Sequence, residues 1–169
     1  YQPVAGITRK IDFCGTAKPG QTLQLSAQLS RADEVAVTYN GSGKFDGKEI
    51  VKLTGCLGPM LPMEDFDDPQ RMKTRYETLC NEGAVPGRFQ GGIPEFDVDT
   101  VERDGDLIKA SFQVPESAAF LADHFPRKPV FPGTLLMTLC IQLASRFVSS
   151  EAIPIGISHA KIREFMEPG

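Results

Sequence analysis

Residues Asp123 to Ser145 read DHFPRKPVFPGTLLMTLCIQLAS, the stretch that most narrows what this chain can become. Pro126, Pro129 and Pro132 fix the backbone and withhold N–H donors, so regular structure is denied until Gly133. From Thr134 to Val148 nearly every side chain is apolar, including Leu135, Leu136, Met137, Leu139, Ile141 and Leu143. A helix apolar on most sides must be surrounded by protein, so the pattern predicts a core helix fed by a rigid loop. Thr134, Thr138 and Gln142 recur every four residues and share one face. A polar stripe on a buried helix needs partners or a ligand.

The rest of the chain is read against that loop and helix. With 169 residues, 41% apolar content and a net charge of −4, it is a soluble globular chain with material for one good core or one and a half small ones. The acidic balance and the lack of a basic cluster argue against a nucleic-acid surface. The apolar run after Gly133 is roughly half the length a bilayer requires, which argues against membrane insertion. Cys14, Cys56, Cys80 and Cys140 are scattered without zinc-ligand spacing, pointing to structural thiols in the reducing cytoplasm. The chain opens on Tyr1 rather than Met, so we expect it to come from a longer polypeptide.

Alternation predicts strands over Gln21–Leu29, Val35–Tyr39 and Ile50–Leu57, joined by turns at Arg31–Glu34 and Phe45–Lys48, where Asp46–Gly47 stands. Pro69 opens a predicted helix that runs to about Glu82 and stops at Gly83. Ala84–Gly92 reads as a loop, and a second β segment starts at Ile93. Phe96–Glu102 and Leu107–Val114 form its hairpin around Asp104–Gly105, with a short helical or looped approach at Pro115–Ala122. The tail GISHAKIREFMEPG, Gly156–Gly169, echoes the opening GITRKIDFCGTAKPG, Gly6–Gly20. Both carry Gly-Ile, a hydroxyl residue, Lys-Ile, an aromatic and Pro-Gly.

The run His124-Phe125-Pro126, Pro129, Pro132-Gly133, followed by an apolar helix carrying Gln142, resembles the HFPxxPxxPG motif of the 3-hydroxyacyl-ACP dehydratases. That resemblance implies an α+β hotdog fold, an antiparallel sheet wrapped around a long central helix. The echoed ends imply a double hotdog. Residues 1–64 would then be the later half of one domain, 65–92 a linker with a short helix, and 93–169 the earlier half of the next domain. A single circularly permuted hotdog, with its repeated strands used twice or swapped between copies, is the alternative arrangement. By resemblance the system is of the fatty-acid, polyunsaturated fatty-acid or polyketide synthase type. Its partners would be an acyl carrier protein and a second hotdog domain, in the same polypeptide or as a homodimer. No cofactor is implied beyond the phosphopantetheine or coenzyme A that bears the acyl group.

Dehydration of a 3-hydroxyacyl thioester needs a base for the proton beside the carbonyl, a donor for the enolate-like oxygen and an acid for the departing hydroxyl. By resemblance His124 is the base and the Gly133 amide is the donor, roles that a near-neutral imidazole and a helix-start N–H suit. Phe125, Phe131, Pro132, Leu135, Leu136, Thr138 and Gln142 are expected to line the acyl site. Where the family carries Glu or Asp, this chain has Thr138, too weak an acid for the step. The acid is therefore expected from a partner hotdog, while a hotdog thioesterase or a non-catalytic acyl-binding domain are the competing readings. Thr134 and Thr138 have a plainer reading as donors to the preceding helical turn. Gln142 has one as a partner for core backbone. His159 reads as a solvated strand residue, Glu64–Asp68 as a solvated linker and helix start, and Arg127 and Lys128 either as surface charge or as contacts for phosphopantetheine or the carrier.

Overall fold

Period-two patterning in the first part of the chain resolves into antiparallel strands: β1 (Gln2–Pro3), β2 (Ile7–Phe13), β3 (Gln24–Ala32), β4 (Ala36–Phe45) and β5 (Lys48–Leu61). A 3-10 turn at Met63–Asp65 and helix α1 (Pro69–Asn81) follow. Then come β6 (Thr100–Asp104), β7 (Leu107–Ser111), α2 (Ala119–Asp123), α3 (Gly133–Ser145) and β8 (Gly156–Lys161). The computed structural model describes residues 1–83, 96, 98, 100–149 and 151–169, with residues 100, 122 and 123 described by their backbone. The chain divides into two units, Tyr1–Pro62 with Ser145–Phe165 and Met63–Ala144 with Met166–Gly169. A mixed fold with an antiparallel sheet and few helices is compatible with the hotdog expectation.

In the first unit the strands run in the order β3-β4-β5-β2-β8, with β1 added on β5. The three strands expected from alternation all form; each ends later than expected, and the first two begin at Gln24 and Ala36 rather than Gln21 and Val35. Asp46 and Gly47 take φ of 49° and 74°, the left-handed pair that a two-residue hairpin turn demands. The β3–β4 turn is closed by Asp33, whose carboxylate accepts the Val35 and Ala36 N–H groups and pairs with Arg31. Those bonds hold its carboxyl below the usual range. Cross-strand partners Leu25 and Gly43, Ala27 and Gly41, and Leu29 and Tyr39 give one face of the sheet its apolar character. Ile11 and Cys56 are buried, whereas Leu25 and Leu29 on the edge strand are 78% and 62% exposed. A cleft of about 360 Å³ is lined by Val4, Ile7, Leu29, Val37, Tyr39 and Cys56, and burial raises the Tyr39 hydroxyl pKa.

A line of irregularities crosses this sheet. Gly55 and His159 have φ of 64° and 57°, and each lies opposite Arg9 on one side of β2. The Gly55 N–H donates to the Asn40 side chain at 2.9 Å, where the β4–β5 register shifts. Such bulges bend strands and increase twist.

The echoed ends meet: β2 pairs antiparallel with β8, Ile7 opposite Lys161, Thr8 opposite Ala160, Lys10 opposite Ser158 and Ile11 opposite Ile157. If Ile7, Thr8 and Ile11 are matched to Ile157, Ser158 and Lys161, each pair has its mirror, so the strands are related by a local two-fold with Arg9 and His159 at its centre.

In the second unit, Asp68 caps α1 by accepting the Gln70 and Arg71 N–H groups, and the helix ends before Gly83 with φ of 79°, as the sequence predicted. The β6–β7 hairpin turns at Gly105, with β6 running on to Asp104 rather than Glu102 and β7 stopping at Ser111 rather than Val114. The loop expected at Ala84–Gly92 and the β start at Ile93 lie outside the described residues. Phe96, Phe112 and Phe120 surround Phe131 with ring centroids 5.1, 5.2 and 5.7 Å away, and Leu121 and Val130 are buried beside them in sequence.

Helix α3 departs from expectation. It stops at Ser145 rather than Val148, and Leu139 is its one buried residue among those described. Thr134, Cys140 and Gln142 are exposed, so neither the enclosed core helix nor the buried polar stripe is observed. The ladder in its own unit has two strands about 4.8 Å apart, too narrow to enclose a helix about 10 Å across.

Candidate active site

The motif loop is built from its first residue outward. His124 ends α2, its N–H donating to the Phe120 carbonyl at 2.9 Å, and its ring stacks on Phe125 at 4.2 Å with 28° between planes. Phe125 has φ of 57°, a conformation that is strained for an aromatic residue by about 1–3 kcal/mol. Surrounding contacts hold it there. The buried Phe66 ring meets Phe125 edge-on at 4.8 Å, and the Phe125 carbonyl accepts the Lys128 N–H at 2.9 Å.

Arg127 fastens the same turn to the segment before α1. Its N–H donates to the Phe66 carbonyl at 2.9 Å, and its guanidinium reaches the Glu64 carbonyl at 3.1 Å and Asp68 at 3.3 Å. The Lys128 ammonium lies 5.9 Å from the Phe66 ring centre. Both cations thus brace the loop.

The acidic run is also less solvated than expected, because Asp67 is buried and grips Arg71 through two hydrogen bonds. The Arg71 hydrogen bond holds the Asp67 carboxyl below the ordinary range. For Asp68 the Arg71 and Gln70 amides do so, with help from the Arg127 charge.

At the other end the loop is pinned by Phe131, whose N–H donates to the Met166 carbonyl at 2.8 Å. Phe131 and Pro132 are buried, and the Leu135 and Leu136 N–H groups both return to the Pro132 carbonyl. The N–H groups of Gly133 and Thr134 have no acceptor among the described residues. They are the open donors of a helix start, where partial positive charge favours an oxyanion. Thr138 Oγ donates to the Thr134 carbonyl at 3.0 Å, the back-bond its spacing allowed.

The sequence-derived candidates thus fall into two groups. His124, Phe125, Phe131, Pro132 and Gly133 share one loop held at both ends, and Leu135 and Leu136 occupy the first turn of α3, half-buried. Gln142 is exposed two turns further on, and His159 is an exposed strand residue of the other unit. Neither the sheet cleft nor a second cleft along α1 is lined by His124 or Gly133. Phe66 and Asp68 support the loop, a role the sequence reading did not give them. The available signal was a lone aromatic inside an acidic run, three residues before the Pro69 helix start.

A family model described as ApeI dehydratase matches residues 100–169. The 3-hydroxyacyl-[acyl-carrier-protein] dehydratase FabZ of Burkholderia mallei (strain SAVP1) is 33% identical over 72 residues, 37% of this chain and 46% of that relative. The protein of the same name from Burkholderia pseudomallei (strain K96243) gives the same figures. That from Burkholderia thailandensis is 33% identical over 72 residues and 45% of its length. The chain therefore spans about half the length of the curated relatives it matches. The family model's match includes the loop and α3. Residues 100–169 thus resemble a dehydratase family, and part of the chain is similar to the 3-hydroxyacyl-[acyl-carrier-protein] dehydratases of these bacteria.

Proposed function

We propose that this chain supplies the base and oxyanion half of a site that dehydrates 3-hydroxyacyl thioesters, borne on an acyl carrier protein, to trans-2-enoyl thioesters. The observation that carries the reading is one braced loop bearing both an imidazole, His124, and the open N–H of Gly133 at a helix start. His124 takes the proton beside the carbonyl, and charge developing on the thioester oxygen is met by the Gly133 N–H. Protonation of the 3-hydroxyl then releases water and leaves the carbon–carbon double bond.

The acid for that last proton transfer comes from a second hotdog unit, because Thr138 stands at the family's acidic position and its hydroxyl is committed to Thr134. The local two-fold between β2 and β8 supports a double hotdog, since it relates equivalent strands of successive units. Within such a pair the exposed flanks of α3 and the exposed leucines of β3 are surfaces for the missing layers. Phe125, Phe131, Pro132, Leu135 and Leu136 wall the acyl group. The setting is a cytoplasmic fatty-acid or polyketide synthase system.

Incubation of the intact protein with a 3-hydroxyacyl carrier thioester tests this. Enoyl thioester should accumulate with the thioester bond whole. Release of free carrier thiol would instead identify a thioesterase, and binding without either product would identify an acyl-binding domain.

A further inference from the structure

Helix α1 has no buried residue along Pro69–Asn81, although its sequence is amphipathic. Met72, Tyr76, Leu79 and Cys80 follow the i, i+4, i+7, i+8 spacing of a single stripe. On a helical projection Lys73 borders that stripe on one side and Arg75 on the other. Tyr76 and Leu79 are 68% and 49% exposed, and Lys73 and Arg75 have no ion-pair partner among the described residues. Arg71 is occupied by Asp67, so the two flanking cations are the available ones. This cationic border belongs to a chain of net charge −4, so it is a local feature rather than the sign of the whole surface. A cleft of about 740 Å³ runs beside it, lined by Arg71, Thr74, Arg75, Thr78 and Leu79.

The helix is also tied to the motif loop inside the same unit. Asp68 both caps α1 and accepts Arg127, while Phe66, three residues before Pro69, meets Phe125 beside His124. We propose that α1 docks the acyl carrier protein, a partner surface with acidic side chains around an apolar contact. The assignment rests on the dehydratase reading above, which requires the substrate to arrive on a carrier. A helix about 20 Å long presents a small interface, suited to a partner that must leave after each turnover.

The test compares two forms of one substrate on the intact protein: a 3-hydroxyacyl group on a bacterial holo-acyl carrier protein, and the same group on N-acetylcysteamine. In the double variant Lys73→Glu, Arg75→Glu, KM for the carrier form should rise at least about tenfold, with kcat/KM for the small thioester unchanged. Tyr76→Ser with Leu79→Ser should act in the same direction, with helicity by circular dichroism retained. An unaltered carrier KM, or equal losses on both thioesters, overturns the proposal. If the unaltered protein turns over neither thioester, the dehydratase reading fails, and direct binding of the holo-carrier decides the dock. Carrier binding that the charge reversals weaken would uphold it; binding they leave intact, no carrier binding at all, or capture of phosphatidylglycerol vesicles in the carrier's place would overturn it.

Discussion

Asp67 steadies the segment to which the motif loop is fastened, through Arg71 and the Asp68 N–H. Its carboxylate is buried, bonded to Arg71 and to the Asp68 N–H, and held ionised below the usual carboxylate range mainly by the Arg71 hydrogen bond. A folded-state pKa below the unfolded value means that the stabilisation is complete above the unfolded pKa and vanishes as pH falls through the folded one. Asp68 shifts in the same direction, so both contributions are lost in the window below about pH 4. Asp67→Asn should therefore flatten the acid limb of a melting-temperature profile while lowering stability at neutral pH by about 1 kcal/mol at most, since Arg71 is largely solvated. A variant profile parallel to the parent's would refute the assignment. His124 and Gly133 were singled out by the resemblance of their stretch to the dehydratase motif, and the structure sets both on one loop held at its two ends. The roles of Arg127 and Lys128 were not legible, because their partners Phe66 and Asp68 lie some sixty residues earlier, at a separation periodicity does not register.

At the scale of elements, local chemistry was enough where an element is decided locally. Asp68 and Pro69 start α1, Gly83 ends it, and Asp46–Gly47 turns the β4–β5 hairpin where the sequence placed them. Helix α3 was misread for the converse reason. Its apolar content states what the helix needs around it, while its exposure depends on which layers are present. The positive φ of Phe125 was likewise hidden, since nothing in the residue type announces it; it follows from what the ring packs against. Phe66→Ala removes that packing from a fully buried position and should cost about 3–5 kcal/mol of unfolding free energy. Hydrogen exchange should then accelerate at the Arg127 and Lys128 amides, which the Phe66 and Phe125 carbonyls accept. Protection unchanged at those amides would mean that the loop holds itself without Phe66.

For the whole molecule, the repeat at the two ends was readable as sequence, but that the repeated strands pair was not. Register is settled by backbone bonds, here extended past the ladder by Ile162 N–H to the Gly6 carbonyl and Phe13 N–H to the Ile155 carbonyl. Gly156 faces the Ile11 carbonyl so closely that any Cβ would collide with backbone. Gly156→Val should accordingly expose the amides of both β2 and β8 to exchange together, and loss confined to β8 would argue against a shared seam. The dehydratase reading proposed above rests on the loop that the second unit holds between Phe66 and Met166. The direct test is the rate of trans-2-enoyl thioester formation from a carrier-borne 3-hydroxyacyl group by the intact protein, with His124 present and with His124→Ala. With His124 as the proposed base, its loss should lower the rate roughly 100- to 10,000-fold with the melting temperature little changed. Undiminished turnover in a folded His124→Ala protein would contradict the account.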